Sequence, residues 1–283
     1  MIQRKELAGV LPRYQDWLVE QERSVHTVGK YLRDVRQFLA FLEENHSQQV
    51  SKQEVIAYKQ QLQKKHRVSS VNSILAAVNG FLRFAGCDEC RVKLVRCQRQ
   101  PFMDDSRELT KEEYFRLLHA ARRKHNQRLC LVMETICATG IRVSELPYIT
   151  VEAVRARRAE ITCKGKRRTV ILPKKLCSAL ARYAGSCGIQ EGYLFRTASG
   201  KPLDRSNIWH AMKRLGREAG VAESKIFPHN LRHLFARTFY GLEKDIVRLA
   251  DILGHSSINT TRIYTAVSRN EYASKVERLG LVV

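Results

Sequence analysis

Residues 24–45 read SVHTVGKYLRDVRQFLAFLEEN, and this stretch decides the fold class of the first part of the chain. Its apolar residues recur at steps of three and four, at Val28, Leu32, Val35, Leu39 and Leu42. That period predicts an amphipathic helix with one buried stripe. The basic residues Lys30 and Arg33 fall on another face.

Helical patterns continue toward residue 90 without a strand pattern between them. Ser51-Lys-Gln-Glu54 has the form of a capping box, which begins a helix. The run SSVNSILAAVNGFLRFAG predicts the next helix, with Ser69 or Ser70 as its N-cap and Gly86 as its stop.

The first domain boundary follows a change in pattern. A shorter helix around residues 14–22 completes a predicted four-helix domain at residues 1–90. Residues 91–100, RVKLVRCQRQ, then carry four basic residues and no acidic residue, and Pro101 follows. We therefore expect an extended basic linker at residues 91–107.

Residues 108–283 predict a mainly α domain with a small sheet. Thr110-Lys-Glu-Glu113 repeats the capping box. The β-rich runs RAEITCKG and RRTVILP surround Lys164-Gly165-Lys166 and predict a hairpin with a basic tip. Pro228 begins a helix in PHNLRHLF. The expected fold class is mainly α with a small antiparallel sheet, in two domains.

The charge of the chain points to a polyanionic partner. Fifty basic residues oppose 28 acidic ones and give a net charge of +22. The basic residues recur along the whole chain, which favours nucleic acid over the weaker alternative of an anionic membrane. No run approaches the roughly 20 apolar residues that span a bilayer, and the first residues lack the apolar core of a signal peptide.

The eight cysteines indicate a reducing compartment, which we expect to be the cytoplasm. Cys87 and Cys90 have the spacing of half a zinc knuckle, but no second half-site follows, although Cys97 is near. Reduced cysteines at a helix end are the simpler interpretation. No carboxylate cluster suggests Mg²⁺ and no glycine-rich loop suggests ATP, so neither a metal nor a cofactor is expected.

Four separate segments carry residues that suit phosphoryl chemistry. These are ATGIRVSEL, the hairpin tip, PHNLRHLF and LGHSSINTTRIY. In the third, an i, i+3 spacing puts a histidine and an arginine on one helix face. Together the segments supply two arginines, two histidines, a lysine and a tyrosine: Arg142, Lys164, His229, Arg232, His255 and Tyr264.

In order and spacing these segments resemble the tyrosine recombinase (phage integrase) family, and the length is most similar to its Xer branch. The resemblance covers residues 24–264. It implies a site-specific DNA recombinase whose two domains close around duplex DNA as a clamp. It also implies that four protomers assemble on two sites and pass through a Holliday junction. Whether a partner recombinase or a directionality factor is needed stays open.

The chemistry of strand exchange suits these residue types. A protein nucleophile conserves the free energy of the broken bond as a phosphoester, and Tyr264 can supply it, leaving a 3′-phosphotyrosine. Arg142 and Arg232 can each offer a planar fork of donors to the non-bridging oxygens. His255 can donate one more hydrogen bond to them. His229 is the candidate base or proton relay.

The family resemblance implies that Lys164 protonates the leaving 5′-oxygen. Lys166 is a nearby competitor, because the hairpin is one residue shorter than in many relatives. Glu145 is expected to orient a basic group. His233 points about 100° away from Arg232 on the helix, which favours a packing or supporting role over direct catalysis.

Weaker predictions concern other residues of the chain. Tyr240 and Tyr272 are alternative nucleophiles that lack the spacing to the LGH segment. Helix faces suggest DNA contacts, for which a solvated face is the alternative, at Lys30, Arg33, Asn72 and Arg83, with Lys166 on the hairpin. By resemblance, the tail after Tyr264 is expected to dock on a neighbouring protomer.

Two other functions compete with the recombinase interpretation. One is a DNA-binding architectural protein or repressor that kept the scaffold without the chemistry, which the complete residue set argues against. The other is a type IB topoisomerase, which shares the chemistry and which the Xer-like helical domain and small size disfavour.

Overall fold

The structure is a computed structural model that describes residues 3–96, 106–163, 166–265 and 269–280. The chain divides into two compact units, Met1–Arg99 and Gln100–Val283, called here the first unit and the second unit. Within the described ranges, none of the helices has the length and apolar character needed to cross a membrane.

The first unit is helical. Its elements are α1 (Arg4–Gly9), α2 (Leu11–Glu20), α3 (Val25–Glu44), α4 (Lys52–Lys65), α5 (Val68–Phe84) and a 3₁₀ turn (Asp88–Cys90). The four predicted helices are present, and α1 is an additional one that the sequence analysis missed. At six residues, α1 is too short for its apolar period to stand out.

Capping chemistry sets several of these helix ends. The Ser24 side chain accepts a hydrogen bond from the Thr27 N–H at the start of α3. The predicted capping box at Ser51 is present at the start of α4. The predicted caps Ser69 and Ser70 are wrong, because α5 begins at Val68 after an extended residue with no side-chain cap.

Amide side chains fasten the segment after the 3₁₀ turn to α5. Asn79 donates to the carbonyl of Val92 and accepts from its N–H, at 2.8 and 3.1 Å. Asn72 pairs in the same way with Val95, at 2.9 and 2.8 Å. Residues 91–96, expected to belong to the linker, are therefore fixed along the first unit, and the rest of the predicted linker lies mainly outside the described residues.

The second unit is mainly α with one two-stranded antiparallel hairpin in its described part, as predicted. In chain order its elements are α6 (Lys111–Arg123), α7 (Gln127–Thr139), a 3₁₀ helix (Val143–Tyr148), α8 (Val151–Ala156), β1 (Arg158–Cys163), β2 (Lys166–Ile171), α9 (Lys174–Ser186), α10 (Arg205–Glu218), a 3₁₀ turn (Glu223–Lys225), α11 (Pro228–Glu243), α12 (Ile246–Leu253), α13 (Ile258–Thr261), a 3₁₀ turn (Arg262–Tyr264) and α14 (Arg269–Glu277).

Helix α7 forms the centre of the second unit. Apolar residues on several of its faces are buried, and it packs against α6, α9 and α11. It ends at Gly140, whose φ of 66° lies in the left-handed region that glycine adopts without strain. A Cβ at this position would also lie 2.4 Å from the Phe235 ring, so the chain turns here only with glycine.

The register of the hairpin pairs Arg158 with Ile171 and Cys163 with Lys166. Ala159, Ile161 and Val170 are buried on its inner face. The capping box predicted at Thr110 is present at the start of α6, and α11 begins at Pro228 as predicted.

Candidate active site

Arg142 and Glu145 lie just after the end of α7. The Glu145 carboxylate accepts from the Arg142 backbone N–H at 2.7 Å and from its Nη1 at 3.0 Å. Glu145 is buried, whereas the Arg142 side chain keeps 37% of its surface exposed. The carboxylate therefore fixes the base of the arginine and leaves part of its guanidinium open to a ligand.

Arg232 on α11 is buried, with 1% of its side chain exposed. It donates from Nη1 to the Gly140 carbonyl at 2.6 Å and from Nη2 to the Leu253 carbonyl at 2.8 Å. Its Nε has no hydrogen-bond partner among the described residues. Burial, with the Arg142 charge, lowers its pKa to about 10, so the guanidinium stays charged at neutral pH.

His255 is held from both sides of its ring. Its Nε2 lies 2.9 Å from Arg232 Nη2, and its Nδ1 lies 2.9 Å from Thr261 Oγ1. Because a guanidinium only donates, Nε2 must accept and Nδ1 carries the proton. Burial, with the charges of Arg232 and Arg142, lowers the pKa of His255 to about 4, so this ring is neutral in the empty site.

Arg168 belongs to this cluster and was missed by the sequence analysis. Its Nη2 donates to Glu145 Oε2 at 2.6 Å, and its Nη1 donates to the Ile252 carbonyl. A Cβ on Gly254 would lie 2.7 Å from the Arg168 side chain, so this glycine leaves room for it. One signal could have identified Arg168. It pairs across the hairpin with Ile161, which is buried, so the Arg168 side chain lies on the inward face.

Tyr264 lies against two histidine rings. Its ring packs edge-to-face on His233, with 4.8 Å between centroids, and lies nearly parallel to His255 at 6.0 Å. Tyr264 is buried, with 3% of its surface exposed. The tyrosine predicted as the nucleophile is thus within ring contact of predicted site residues.

His233 faces His229 on α11. The two residues are one turn apart on α11, and their ring centroids lie 4.5 Å apart. His233 Nδ1 lies 3.1 Å from Glu108 Oε1, a carboxylate that the sequence analysis did not consider. Glu108 precedes α6 and carried no motif that singled it out.

A cleft of about 770 Å³ lies beside these groups. Arg142, His229 and Arg232 line one part of it, and Arg205 and Trp209 on α10 line another. Neither α10 residue was predicted as a site residue, since a basic helix face by itself does not separate a ligand site from a solvated surface. The cleft is open and has three arginines in its lining, which suits a phosphodiester.

Lys164 lies outside the described residues. For Lys166, only its place at the start of β2 is described. The alternative tyrosines lie elsewhere: Tyr240 near the end of α11 beside Lys244, and Tyr272 on α14 with about half of its surface exposed.

Two of the four predicted DNA contacts in the first unit have other partners. The Asn72 amide donates one hydrogen bond to the Val95 carbonyl and accepts one from its N–H. Lys30 forms an ion pair with buried Asp34 at 2.5 Å and donates to the Ser73 carbonyl. Arg33 and Arg83 are more than 60% exposed.

Within the described ranges, no group of three or more histidine, cysteine or carboxylate side chains could hold a metal ion. Cys87 and Cys90 are buried free thiols, and Cys90 donates to the Val50 carbonyl.

Two family descriptions match the chain. The phage integrase family matches residues 107–271, and the N-terminal SAM-like domain of phage integrases matches residues 11–86. The tyrosine recombinase XerA of Pyrococcus furiosus is 29% identical, covering 96% of this chain and 94% of its own length. A tyrosine recombinase of Pseudothermotoga lettingae is 31% identical, covering 95% and 98%.

Solved structures share the fold at low identity. A lambda integrase dimer bound to a COC′ core site matches with a TM-score of 0.72 at 16% identity, over 91% of this chain and 94% of that one. A lambda integrase tetramer bound to a Holliday junction matches with a TM-score of 0.71 at 18% identity, over 91% and 76%.

Proposed function

This chain belongs to the phage integrase family, and from that membership we propose that it cuts and rejoins duplex DNA through a phosphotyrosyl intermediate formed on Tyr264. The family and its named relatives make the chain a site-specific tyrosine recombinase. The observation that carries the proposal for this residue is the contact of the Tyr264 ring with His233 and His255, beside the buried Arg232.

In the proposed reaction the Tyr264 hydroxyl attacks the scissile phosphorus. The bond from Oη to phosphorus forms, the bond from phosphorus to the 5′-oxygen breaks, and the DNA 3′-phosphate stays on the tyrosine. The reverse reaction with another 5′-hydroxyl rejoins the strands without an external energy source, because the phosphoester conserves the free energy of the original bond.

Arg142 and Arg232 are proposed to hold the non-bridging oxygens. The cluster contains three arginines against one carboxylate: Arg142, Arg168 and Arg232 with Glu145. A surplus of fixed cations suits the phosphorane-like transition state, on whose oxygens negative charge increases. In the empty site His255 accepts from Arg232. An arriving phosphate would favour its protonated form, which can donate from Nε2.

Lys164 is proposed as the acid that protonates the 5′-oxygen, with Lys166 as its competitor. Removal of the acid should slow cleavage by about 10²- to 10⁴-fold. A substrate with sulfur as the bridging 5′ atom needs no proton on its leaving group, because a thiolate leaves readily. Lys164→Ala should therefore cleave that substrate nearly as fast as the wild type. If Lys166→Ala shows this recovery instead, Lys166 is the acid.

The central test is a suicide substrate, a site with a nick that lets the cut strand diffuse away. The wild-type protein should accumulate a covalent protein–DNA adduct on it, and Tyr264→Phe should bind the same DNA with near-normal affinity and form none. Tyr240→Phe and Tyr272→Phe are the matched controls and should retain the adduct. An adduct that survives in Tyr264→Phe would refute the nucleophile.

The same assay separates the competing functions. An architectural DNA-binding protein would form no adduct with any substrate. A type IB topoisomerase would form the adduct and relax supercoils without joining two sites, whereas a recombinase exchanges strands between them.

We propose duplex recombination sites as the partner of both units and a tetramer on paired sites as the active assembly. The domain limits proposed for these roles are residues 1–90 and 108–283. A lambda integrase tetramer on a Holliday junction has the same fold, which supports the assembly. Exposed Val276 and Leu279 in and after α14 suit the proposed docking of the tail on a neighbouring protomer.

The proposal leaves room for a partner recombinase or a directionality factor. It also places the protein in the cytoplasm. The location is supported by six cysteines that are free thiols, as in a reducing compartment.

A further inference from the structure

The proposed cleavage step needs an acceptor for the Tyr264 proton, and the inference below rests on that proposed function. A neutral phenol is a weak nucleophile, and tyrosine ordinarily loses its proton only near pH 10. Three imidazoles lie in this part of the second unit, on His229, His233 and His255. Their hydrogen bonds distinguish which of them can accept a proton.

His255 has no nitrogen to offer in the empty site. Its Nε2 accepts from Arg232, and its Nδ1 carries the proton directed at Thr261 Oγ1. Protonation of Nε2 would break the contact with a permanently charged guanidinium. While it accepts from Arg232, this ring cannot take the tyrosine proton.

His229 faces the cleft beside Arg142 and Arg232. Partial burial and the neighbouring charges of Arg232 and Arg142 lower its pKa to about 4. An imidazole surrounded by cations resists a further proton, so it is a weak general base at neutral pH.

His233 differs from both, because its neighbour is a carboxylate. Glu108 Oε1 lies 3.1 Å from Nδ1, and an ionised carboxylate only accepts, so the ring proton sits on Nδ1. That leaves a lone pair on Nε2. This nitrogen is buried and has no hydrogen-bond partner in the described part of the chain, while the ring packs against Tyr264. A buried acceptor without a donor costs free energy, so its presence here points to a functional use of the Nε2 lone pair.

We propose that His233 is the general base that accepts the Tyr264 proton, and that Glu108 holds it in the accepting tautomer and stabilises the resulting imidazolium. As the bond from Oη to phosphorus forms, the Oη–H bond breaks and the proton moves to His233 Nε2. The 5′-oxygen leaves with a proton from the hairpin lysine. During rejoining His233 returns its proton to the tyrosine.

The surroundings of His233 keep the Glu108 carboxylate ionised. Burial raises the Glu108 pKa, but the hydrogen bond to His233 and the charge of Arg237 outweigh it, and the net shift is downward. Arg237 Nη2 lies 3.7 Å from Glu108 Oε2. In the described part of the chain, His233 contacts Glu108, His229 and Tyr264, and Arg237 lies behind the Glu108 carboxylate.

The test is to make the nucleophile more acidic, so that it needs less help from a base. Tyr264 is replaced by a ring-fluorinated tyrosine, and the single-turnover rate of adduct formation is measured with a nicked substrate at saturating protein. With the natural tyrosine, His233→Gln should slow the adduct by about 10²- to 10⁴-fold. With the fluorinated tyrosine, that loss should shrink at least tenfold.

His229→Gln is the matched comparison, and its loss should not shrink. Glu108→Gln removes the charge but keeps an acceptor, so its smaller loss should shrink in the same way as that of His233→Gln. Glu112→Gln, at an exposed glutamate nearby, should change nothing. DNA affinity and melting temperature, measured for each variant, identify any that fail to fold, and Glu108→Gln then carries the test.

The proposal is overturned if the His229→Gln loss shrinks and the His233→Gln loss does not. It is equally overturned if neither loss shrinks, because the proton then leaves by a route without either ring. Failure of the proposed function looks different, since the wild-type protein would then form no adduct on Tyr264 at all.

Discussion

In the first unit the buried Asp34 carboxylate meets Lys30 at 2.5 Å, whereas in the second unit three arginines surround the one carboxylate of Glu145. In the first arrangement the Lys30 ammonium neutralises the buried carboxylate. In the second, the positive charge of the arginines exceeds the negative charge of Glu145 beside a cleft. A buried charge without a full counterion is costly, so the excess indicates a ligand that brings the missing negative charge.

Among the variants that test this comparison, removal of the buried arginine should have the largest effect. Arg232→Ala should slow adduct formation by about 10²- to 10³-fold, the loss typical for one donor to a developing oxyanion. Arg232→Lys should not recover the rate, because an ammonium does not reproduce a fork that reaches the Gly140 and Leu253 carbonyls. Full activity in Arg232→Lys would show that charge alone suffices.

Substitution of Arg168 tests whether the excess of arginines around Glu145 includes one that does not contact the phosphate. Arg168→Ala should lower the cleavage rate about 10- to 100-fold, since a hydrogen bond to a charged group contributes about 1.5–3 kcal/mol. Arg167→Ala changes the same residue type on the exposed side of β2 and should have no effect. Equal losses in the two variants would assign the effect to the overall charge of the hairpin.

The balanced pair in the first unit should behave as a stability element. Lys30→Met removes the hydrogen-bonded partner of the buried Asp34 carboxylate and leaves it only Arg33 Nε at 3.9 Å, so it should lower the free energy of unfolding by about 1–3 kcal/mol. The cleavage rate should be unchanged at a temperature where the variant is folded. A lower DNA affinity with unchanged stability would instead support the predicted DNA contact of Lys30.

The smallest effect concerns pH. The folded His255 has a pKa of about 4 against about 6.5 in an unfolded chain, so the unfolded state binds more protons between these values. Stability is therefore full above about pH 6.5 and is lost as the pH falls toward 4. In urea titrations across this range, His255→Gln should show a shallower loss than the wild type. Parallel curves would contradict the burial of a neutral ring.

The elements with local signals were predictable from the sequence. Capping boxes at Ser51 and Thr110 and the proline at the start of α11 act within one helical turn, so a short window contains all their information. The hairpin was predicted for the same reason, because its two strands are adjacent in the chain.

The partners that join distant segments were not predictable in this way. Glu108 and His233 are 125 residues apart, and Arg168 and Ile252 are 84 apart. The pairing of Asn72 with Val95 was not expected, because Val95 lies on a segment with no regular structure. Such pairings depend on packing, for which a single sequence carries no direct signal.

The two carbonyls that hold Arg232 both lie at carboxyl ends of helices. Gly140 ends α7 and Leu253 is the last residue of α12, so the negative ends of two helix dipoles converge on one guanidinium. Many phosphate sites use the positive end of a helix directly. Here the polarity is reversed, and the helices hold the cation that holds the phosphate. The cationic geometry is thereby assembled before DNA arrives, and binding energy is not needed to gather it.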